Sequence, residues 1–460
     1  MQKITCRDIL EATKGKLISG EADTEVLRVS TDSRKIIDGD LFIPLKGERF
    51  DGHDYIPAAL EAGARAVLTH KDIGPVHSKC VIRVDNTSTA LLDLAGWYRR
   101  KFDIPFVGIT GSVGKTSTKD MVAGVLSRKF RVLKTEGNFN NEIGLPLTIF
   151  NLDSSHQAAV IEMGMSGFGE ISRLTAVARP DIAIITNIGV SHIEKLGSRQ
   201  NILKAKMEIL EGLSEKGLVV LNGDDKLLYG LKDLLNFRTV FYGIDECCDY
   251  QAYNIHTAGE QGTSFEITVG TEDYKVHVPA PGVHNVYNAL AAIAVGLELG
   301  LTMNEIIDGI ASFAPGNMRM NIINRGDIKI IDDTYNASPQ SMEAAITVLK
   351  DISAGNRRTV AVLGDMLEMG EWAYDAHYNV GKFAASKKID YIITVGDNGR
   401  VIAKGALESG FDANCAFSFN NNAEVNRFLK DFVKSGDVIL VKGSRGMKME
   451  EIIRQLTGGA

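Results

Sequence analysis

Apolar residues in this chain gather into short β-rich runs separated by helix-length amphipathic segments, and the pattern changes character twice along its length. Up to about residue 102, strand-like pieces at Ala66 to Thr69 and Cys80 to Val84 precede a helical pattern from Thr87 to Phe102, which closes on Arg99, Arg100 and Lys101. Ile104-Pro105 breaks that helix, because the residue before a proline is kept out of the α region. The second stretch opens on an apolar strand, Phe106 to Thr110. It continues through Ala158 to Ile161, Ile182 to Thr186 and Leu218 to Leu221 with helix-length segments between, which predicts a parallel, doubly wound sheet. Residues 238 to 280 alternate instead, as at Tyr274 to Val278, and predict a small antiparallel sheet before an Ala-rich helix from Val286 to Leu299. After the linker Ala314-Pro315-Gly316, strands at Thr359 to Leu363, Tyr391 to Val395 and Val438 to Val441 alternate with helices and predict a smaller, Rossmann-like open α/β domain. The expectation is an α/β protein of three domains, 1–102, 103–314 and 315–460, a division that suits 460 residues.

Composition narrows the partners. The chain has 51 Lys plus Arg against 58 Asp plus Glu, is 44% hydrophobic and 24% charged, and carries a net charge of −7, which is ordinary globular usage and excludes disorder and collagen-like structure. Without a long basic run it is not built to hold nucleic acid by neutralising phosphates, so small molecules are the expected partners. The five cysteines, Cys6, Cys80, Cys247, Cys248 and Cys415, lack the spacing of a disulfide framework or a zinc site. Met1 to Leu10 carries Lys3, Arg7 and Asp8 where a signal peptide would be apolar, and no 18-residue uncharged apolar run exists; a cytoplasmic chain is expected.

Chemistry concentrates at strand ends. Gly111-Ser112-Val113-Gly114-Lys115-Thr116 follows the strand Phe106 to Thr110 and precedes a helix with Met121, Val122, Val125 and Leu126 on one face. That is the setting of a phosphate loop: glycines let backbone N–H groups converge on phosphate oxygens, Lys115 reaches the β/γ-phosphates and Thr116 can hold Mg²⁺. The strict G-x-x-x-x-G-K-T pattern fails, because Ile109 stands where its first glycine belongs. Glu162 lies just past one apolar strand and His192 after another, where open α/β sheets gather ligands, although either alone is more often an ordinary strand-end or loop residue.

Taken in order, Thr110 to Thr116, Glu162-Met163-Gly164, Thr186-Asn187 with His192, Ala205-Lys206 and His284-Asn285 resemble the Mur ligases, ATP-dependent amide ligases that build the peptidoglycan stem peptide. The shortened loop is that family's form. Thr135 to Asn141, Asp332 to Pro339, Leu363 to Gly370 and Val441 to Lys448 resemble the member that adds D-alanyl-D-alanine. The resemblance implies ATP contacts at Gly111, Ser112, Val113, Gly114, Lys115, Thr116 and Ser117, with Asn285 at the adenine, Asp333 at the ribose and Arg319 at the γ-phosphate. It implies two Mg²⁺ ions held by Thr116, Glu162, His192 and Lys206, the last carbamylated by CO₂; without the family, Lys206 would be a solvated residue of a helix from Asn201 to Leu213. Lys115, Glu162, His192, Lys206 and Arg319 are thereby the catalytic set.

For the other substrates, Ser33, Arg34, Lys46 and Gly47 resemble uridine-diphosphate docking loops, so that 1–102 would bind the UDP-linked substrate and 103–314 ATP. Asn138, Tyr335 and Asn336 are further substrate candidates, and Lys442, Ser444 and Arg445 form, with Lys448, a donor cluster for the incoming dipeptide or a solvated charge run. The implied reaction joins D-alanyl-D-alanine to UDP-N-acetylmuramoyl-tripeptide through an acyl phosphate, with ADP and phosphate released, by a monomer without a transmembrane segment. A sibling ligase adding a single amino acid, a phosphate-loop switch and a nucleotide-binding transport subunit are the alternatives.

Overall fold

In the computed structural model, which describes residues 1–245, 248–353 and 356–459, the chain divides into two compact units. One comprises Met1–Thr110, Lys129–Ile184 and Ala205–Val219; the other comprises Gly111–Arg128, Ile185–Lys204 and Val220–Ala460.

The first unit carries a five-stranded sheet in the order Lys16–Ser19, Cys80–Arg83, Ala66–Thr69, Asp40–Phe42 and Arg28–Ser30, whose first pairing is antiparallel and the rest parallel. It also holds Ala158–Glu162 between Phe106–Thr110 and Val132–Lys134, parallel to both. Every residue of Phe106–Thr110 and of Ala158–Glu162 is buried, as expected for parallel strands covered on both faces. The helix expected from Thr87 to Phe102 spans Thr87–Arg99; the Asn86 side chain starts it by accepting from the Ser88 and Thr89 N–H groups at 2.8 and 3.1 Å. It ends early because Arg99 turns inward. Its guanidinium lies 3.5 Å from the Phe106 ring centroid and donates to the carbonyls of Ala178, Phe102 and Arg179, and burial pushes its pKa down to about 10.

The expected helix Asn201 to Leu213 is instead Arg199–Met207 followed by a 3₁₀ turn, Glu208–Gly212. The Thr175 hydroxyl donates to the Ile209 carbonyl at 2.8 Å, and Gly212 packs so closely on Thr175 that a Cβ there would lie 2.4 Å from the Thr175 carbonyl oxygen. Glu208, in the same turn, accepts from Gly169 N and Ser172 N at 2.7 and 3.1 Å and so completes the start of the helix Glu170–Ala178.

In the second unit, Tyr250–Thr257, Thr263–Val269 and Glu272–Val278 form the expected antiparallel sheet. Arg238–Gly243 corrects that expectation by pairing in parallel with Tyr250–Thr257. Its three consecutive buried residues, Phe241 to Gly243, are the mark of a strand covered on both faces, not of an alternating one. The last stretch builds a six-stranded sheet in the order Asn321–Arg325, Ile328–Asp333, Val438–Lys442, Thr359–Gly364, Tyr391–Val395 and Ala416–Phe419, with only the edge strand Asn321–Arg325 antiparallel. This is the open α/β arrangement expected.

Cys6, Cys80, Cys248 and Cys415 are free thiols, and Cys247 lies outside the described residues. No helix of the described residues is long and apolar enough to cross a membrane.

Two measurements follow. Arg99→Met removes the donor from three backbone carbonyls and should lower unfolding free energy by about 3 kcal/mol, read by urea denaturation; a loss under about 1 kcal/mol would show the carbonyls are satisfied otherwise. His377, fully buried, donates from Nδ1 to the Ala373 carbonyl and accepts at Nε2 from the Met366 N–H, and burial lowers its pKa. Below pH about 6.5 the unfolded chain takes up a proton that the folded one refuses, so this stability is complete above that pH and is lost as pH falls. Urea midpoints measured from pH 8 to 5 should therefore fall less steeply in His377→Gln than in the wild type.

Candidate active site

The nucleotide loop is shaped by the residues around it. Gly111 has φ +149 and Gly114 φ +87, and a Cβ on Gly111 would lie 1.9 Å from Thr186 Oγ1, so no other residue fits there. Asn187 holds the loop like a base pair: its carboxamide oxygen accepts from Val113 N at 3.0 Å, its Nδ2 donates to Val113 O at 2.9 Å, and its backbone carbonyl accepts from Ser112 N at 3.0 Å. Thr186 Oγ1 also donates to Val113 O at 2.6 Å, and Gly189 N donates to Ser112 Oγ at 2.9 Å. Gly114 then caps the helix Lys115–Leu126, whose N-terminus therefore faces out of the loop. Lys115 Nζ rests on the carbonyls of Gly111 and Ser112, at 2.8 and 3.4 Å, an ammonium that phosphate oxygens can take over. Thr116 follows it, nine-tenths buried, ahead of Ser117.

A polar chain runs from this helix to the helix His284–Glu298. Thr118 Oγ1 donates to Asn288 Oδ1 at 2.9 Å, Asn288 Nδ2 to Asn285 Oδ1 at 3.0 Å, and Asn285 Nδ2 to the Pro281 carbonyl at 2.9 Å. Asn285 is buried one residue inside the helix, with its carboxamide oriented by Asn288.

The residues after the linker meet in the same unit. Asp333 Oδ2 pairs with Lys442 Nζ at 2.5 Å, Asp333 Oδ1 accepts from Met320 N, and Lys442 Nζ also donates to the Asn336 carbonyl at 2.8 Å. Lys442 is only 2% exposed, so it is not part of a solvated charge run, and Ser444, also buried, accepts at Oγ from Leu367 N. Arg445 remains at the surface against Met318 and Glu450. Arg319 lies over the Tyr335 ring with its guanidinium carbon 3.9 Å from the centroid, between Met318 and Met320, both in left-handed conformations. His192, also left-handed at φ +61, pairs through Nδ1 with Glu368 Oε2 at 2.6 Å.

In the first unit Glu162 ends its strand 2% exposed. Its Oε1 accepts from Asn140 Nδ2 at 2.7 Å and its N–H donates to Thr135 Oγ1 at 3.0 Å, so Thr135 to Asn141 wraps the carboxylate while Asn138 is exposed. Lys206 is likewise 2% exposed, which overturns the solvated reading. Ser33 and Arg34 stand on a turn that Asp32 caps, with the carboxyl of Asp32 held down to about 2 by the Arg34 guanidinium. Lys46 and Gly47 form an exposed hairpin closed by the Lys46–Asp51 bridge and the Gly47 N–H to Phe50 carbonyl bond. Among the described residues no group of three or more His, Cys, Asp or Glu side chains forms a ready-made metal cage. Reading the sequence missed Asn288 and the pairing of Glu368 with His192; the only local signal was their place within polar motifs that carry no period.

The nucleotide loop and the segments around it match known sequences along the whole chain. The Mur ligase middle domain matches residues 109–296, the Mur ligase glutamate ligase domain 318–445 and the Mur ligase family catalytic domain 25–95. The UDP-N-acetylmuramoyl-tripeptide–D-alanyl-D-alanine ligase of Bacillus subtilis (strain 168) is 42% identical over 459 residues, covering 99% of both chains, and that of Escherichia coli (strain K12) is 36% identical, again covering 99% of both. MurF from Acinetobacter baumannii superposes with a TM-score of 0.91 at 31% identity, covering 100% of this chain and 99% of that one. MurF ligase from Thermotoga maritima in complex with ADP superposes at 0.83 with 30% identity, covering 94% and 97%. With likeness of this extent in both sequence and fold, and a nucleotide loop in the family's shortened form, the chain belongs to the Mur ligase family.

Proposed function

We infer that this chain is an ATP-dependent, ADP-forming ligase that joins D-alanyl-D-alanine to UDP-N-acetylmuramoyl-tripeptide in peptidoglycan synthesis. The observation that carries this is the end-to-end likeness to ligases of that name, 42% identical in the Bacillus subtilis relative, together with a nucleotide loop in which Thr186 and Asn187 hold both backbone groups of Val113. We take 1–102 as the UDP-substrate domain, 103–314 as the ATP domain and 315–460 as the third, acting as a monomer in the cytoplasm, where nucleotide substrates are found.

The chemistry requires a carboxylate to attack the γ-phosphate of ATP, and these two anions repel unless cations stand between them. In the proposed roles Lys115 exchanges its loop carbonyls for phosphate oxygens, and Arg319, kept planar on Tyr335, adds a second fixed positive charge at the γ-phosphate. Asn285 presents an oriented carboxamide to adenine, and Asp333 offers its carboxylate to the ribose while Lys442 holds it. The tripeptide carboxylate takes the phosphoryl group, the dipeptide amine attacks the acyl phosphate, and phosphate leaves. Arg34 and Lys46, exposed on braced turns with Ser33 and Gly47, suit a diphosphate; exposed Arg445 and Lys448 suit the dipeptide carboxylate, with Lys442 and Ser444 as the buried candidates beside them. Asn138, Tyr335 and Asn336 stay as further substrate contacts.

The donor types fit Mg²⁺: the Thr116 hydroxyl, the buried Glu162 carboxylate and the His192 imidazole are few enough to leave coordination places for water and phosphate, as a small hard cation requires. When bound, Mg²⁺ neutralises phosphate charge. The burial of Lys206 disfavours its ammonium and so suits a neutral amine that can take up CO₂, giving an end with carboxylate character toward a second ion.

Two experiments test this reading. Phosphate release from ATP should require both UDP-tripeptide and D-alanyl-D-alanine, with single amino acids ineffective; release with nucleotide alone would indicate a switch. Lys115→Ala should fold and lose at least about 10²-fold in turnover, beyond rescue, whereas inactive Lys206→Ala should recover in part with short-chain carboxylates. No recovery, with no labelled adduct when the wild type is exposed to ¹³CO₂, would remove the carbamate.

A further inference from the structure

The residues that grip the nucleotide loop are themselves gripped from behind. Thr186 to Gly189 follows the strand Ile182–Ile185 and lies outside any helix or strand, so its backbone polar groups need partners from elsewhere. The Thr186 carbonyl accepts from Asn222 Nδ2 at 3.1 Å, the Asn187 carbonyl accepts from Ser112 N at 3.0 Å, and Gly189 N donates to Ser112 Oγ at 2.9 Å. Between them Ile188, 1% exposed, is held at both of its backbone groups. Its N–H donates to Asp225 Oδ2 at 2.6 Å, and its carbonyl accepts from Arg199 Nε and Nη2 at 3.1 and 2.7 Å. Asp225 is fixed in turn: its other oxygen, Oδ1, caps the short helix Lys226–Tyr229 by accepting from Leu227 N and Leu228 N at 3.0 and 3.4 Å. The neighbouring Asp224 accepts at Oδ2 from Tyr287 OH at 2.8 Å, and Tyr287 stands on the helix that carries Asn285 and Asn288.

A hydrogen bond to a carboxylate is stronger than one between neutral groups, and at a buried residue its loss leaves a backbone N–H with no water to replace it. A shift of Ile188 would carry Asn187 with it, and Asn187 holds both polar groups of Val113. We propose that Asp225 is a positioning residue for ATP binding, acting through Ile188 and Asn187, and not by contact with the nucleotide, to keep the loop in the shape that receives phosphates. The inference rests on the ATP role given to the loop above. It adds that affinity for an anion depends on a carboxylate, a group that would by itself repel phosphate, because the oxygens of Asp225 are taken up by backbone N–H groups.

The test uses the full chain with Asp225→Ser. Serine caps a helix as well as aspartate does, but its single hydroxyl cannot serve both the cap and Ile188 N, so the helix should stay and the brace should go. Urea denaturation should show a folded variant. Hydrogen exchange without nucleotide, followed by mass spectrometry, should be faster than in the wild type across Ser112 to Gly114 and at Ile188 and Gly189, and unchanged in the strand Tyr391–Val395. Affinity for a non-hydrolysable ATP analogue, measured by calorimetry, should weaken about 10-fold, while KM for UDP-tripeptide at saturating ATP stays as it was. Asp225→Asn, which keeps one acceptor oxygen, should fall between the two and carries the same comparison if the serine variant does not fold. Unchanged exchange across Ser112 to Gly114 overturns the proposal. So does an affinity that is unchanged or tighter, the second being what removal of a negative charge alone would give. An analogue affinity that survives Lys115→Ala overturns instead the nucleotide role of the loop.

Discussion

The contact between Gly111 and Thr186 is the constraint from which the nucleotide site is built. With a hydroxyl 1.9 Å from where a Cβ would stand, the backbone of the loop passes directly over the end of a neighbouring segment, and that proximity lets Thr186 and Asn187 take hold of both polar groups of Val113. The loop's conformation is thus imposed from outside. This accounts for the missing glycine of the longer pattern. Ile109 is a wholly buried strand residue, and the turn it would have had to make begins two residues later, at Gly111.

Close packing carries that precision into the helices. Gly309 approaches the helix Lys115–Leu126 so closely that a Cβ would lie 2.5 Å from Val125 Cα, and Gly296 brings Ile306 and Val125 within about the same reach. Helices in such contact cannot slide independently. The chain Thr118, Asn288, Asn285 then orients a carboxamide with respect to the phosphate helix, so the expected adenine and phosphate ends of the site share one rigid support. A nucleotide bound there would find its two ends spaced in advance, which lowers the ordering cost of binding.

The sheets were legible because buried parallel strands write themselves as short apolar runs: Phe106–Thr110, Ala66–Thr69 and Tyr391–Val395 lie where the pattern puts them. What the pattern missed depends on partners distant in sequence. Arg99 reads as the exposed end of a helix until Ala178 and Arg179 supply carbonyls for it. Arg238–Gly243 reads as part of an alternating sheet until its buried half pairs in parallel. The hairpin Asn321–Arg325 with Ile328–Asp333 was not anticipated, since its first strand is an edge with few buried positions. Among the site residues, Lys115 and Gly114 were legible from local chemistry. The inward turn of Lys442 and Ser444, and the burial of Lys206, were not, because a lysine looks the same in sequence whether its end meets water or a carboxylate.

Asp333 and Lys442 are also register partners on adjacent parallel strands, Ile328–Asp333 and Val438–Lys442. Their side chains lie on the same face because the strands are aligned there, and moving either strand by one residue would send one of them to the opposite face. The position of the Asp333 carboxylate is therefore a readout of the alignment of two strands whose paired residues stand 109 positions apart in the chain. Neither residue can drift alone: a neutral replacement of the lysine leaves a buried anion, and a neutral replacement of the aspartate leaves a buried cation. Sequence change at these two positions is expected to be paired, and a homologue in which both had become apolar would keep its sheet while losing the carboxylate at that strand end.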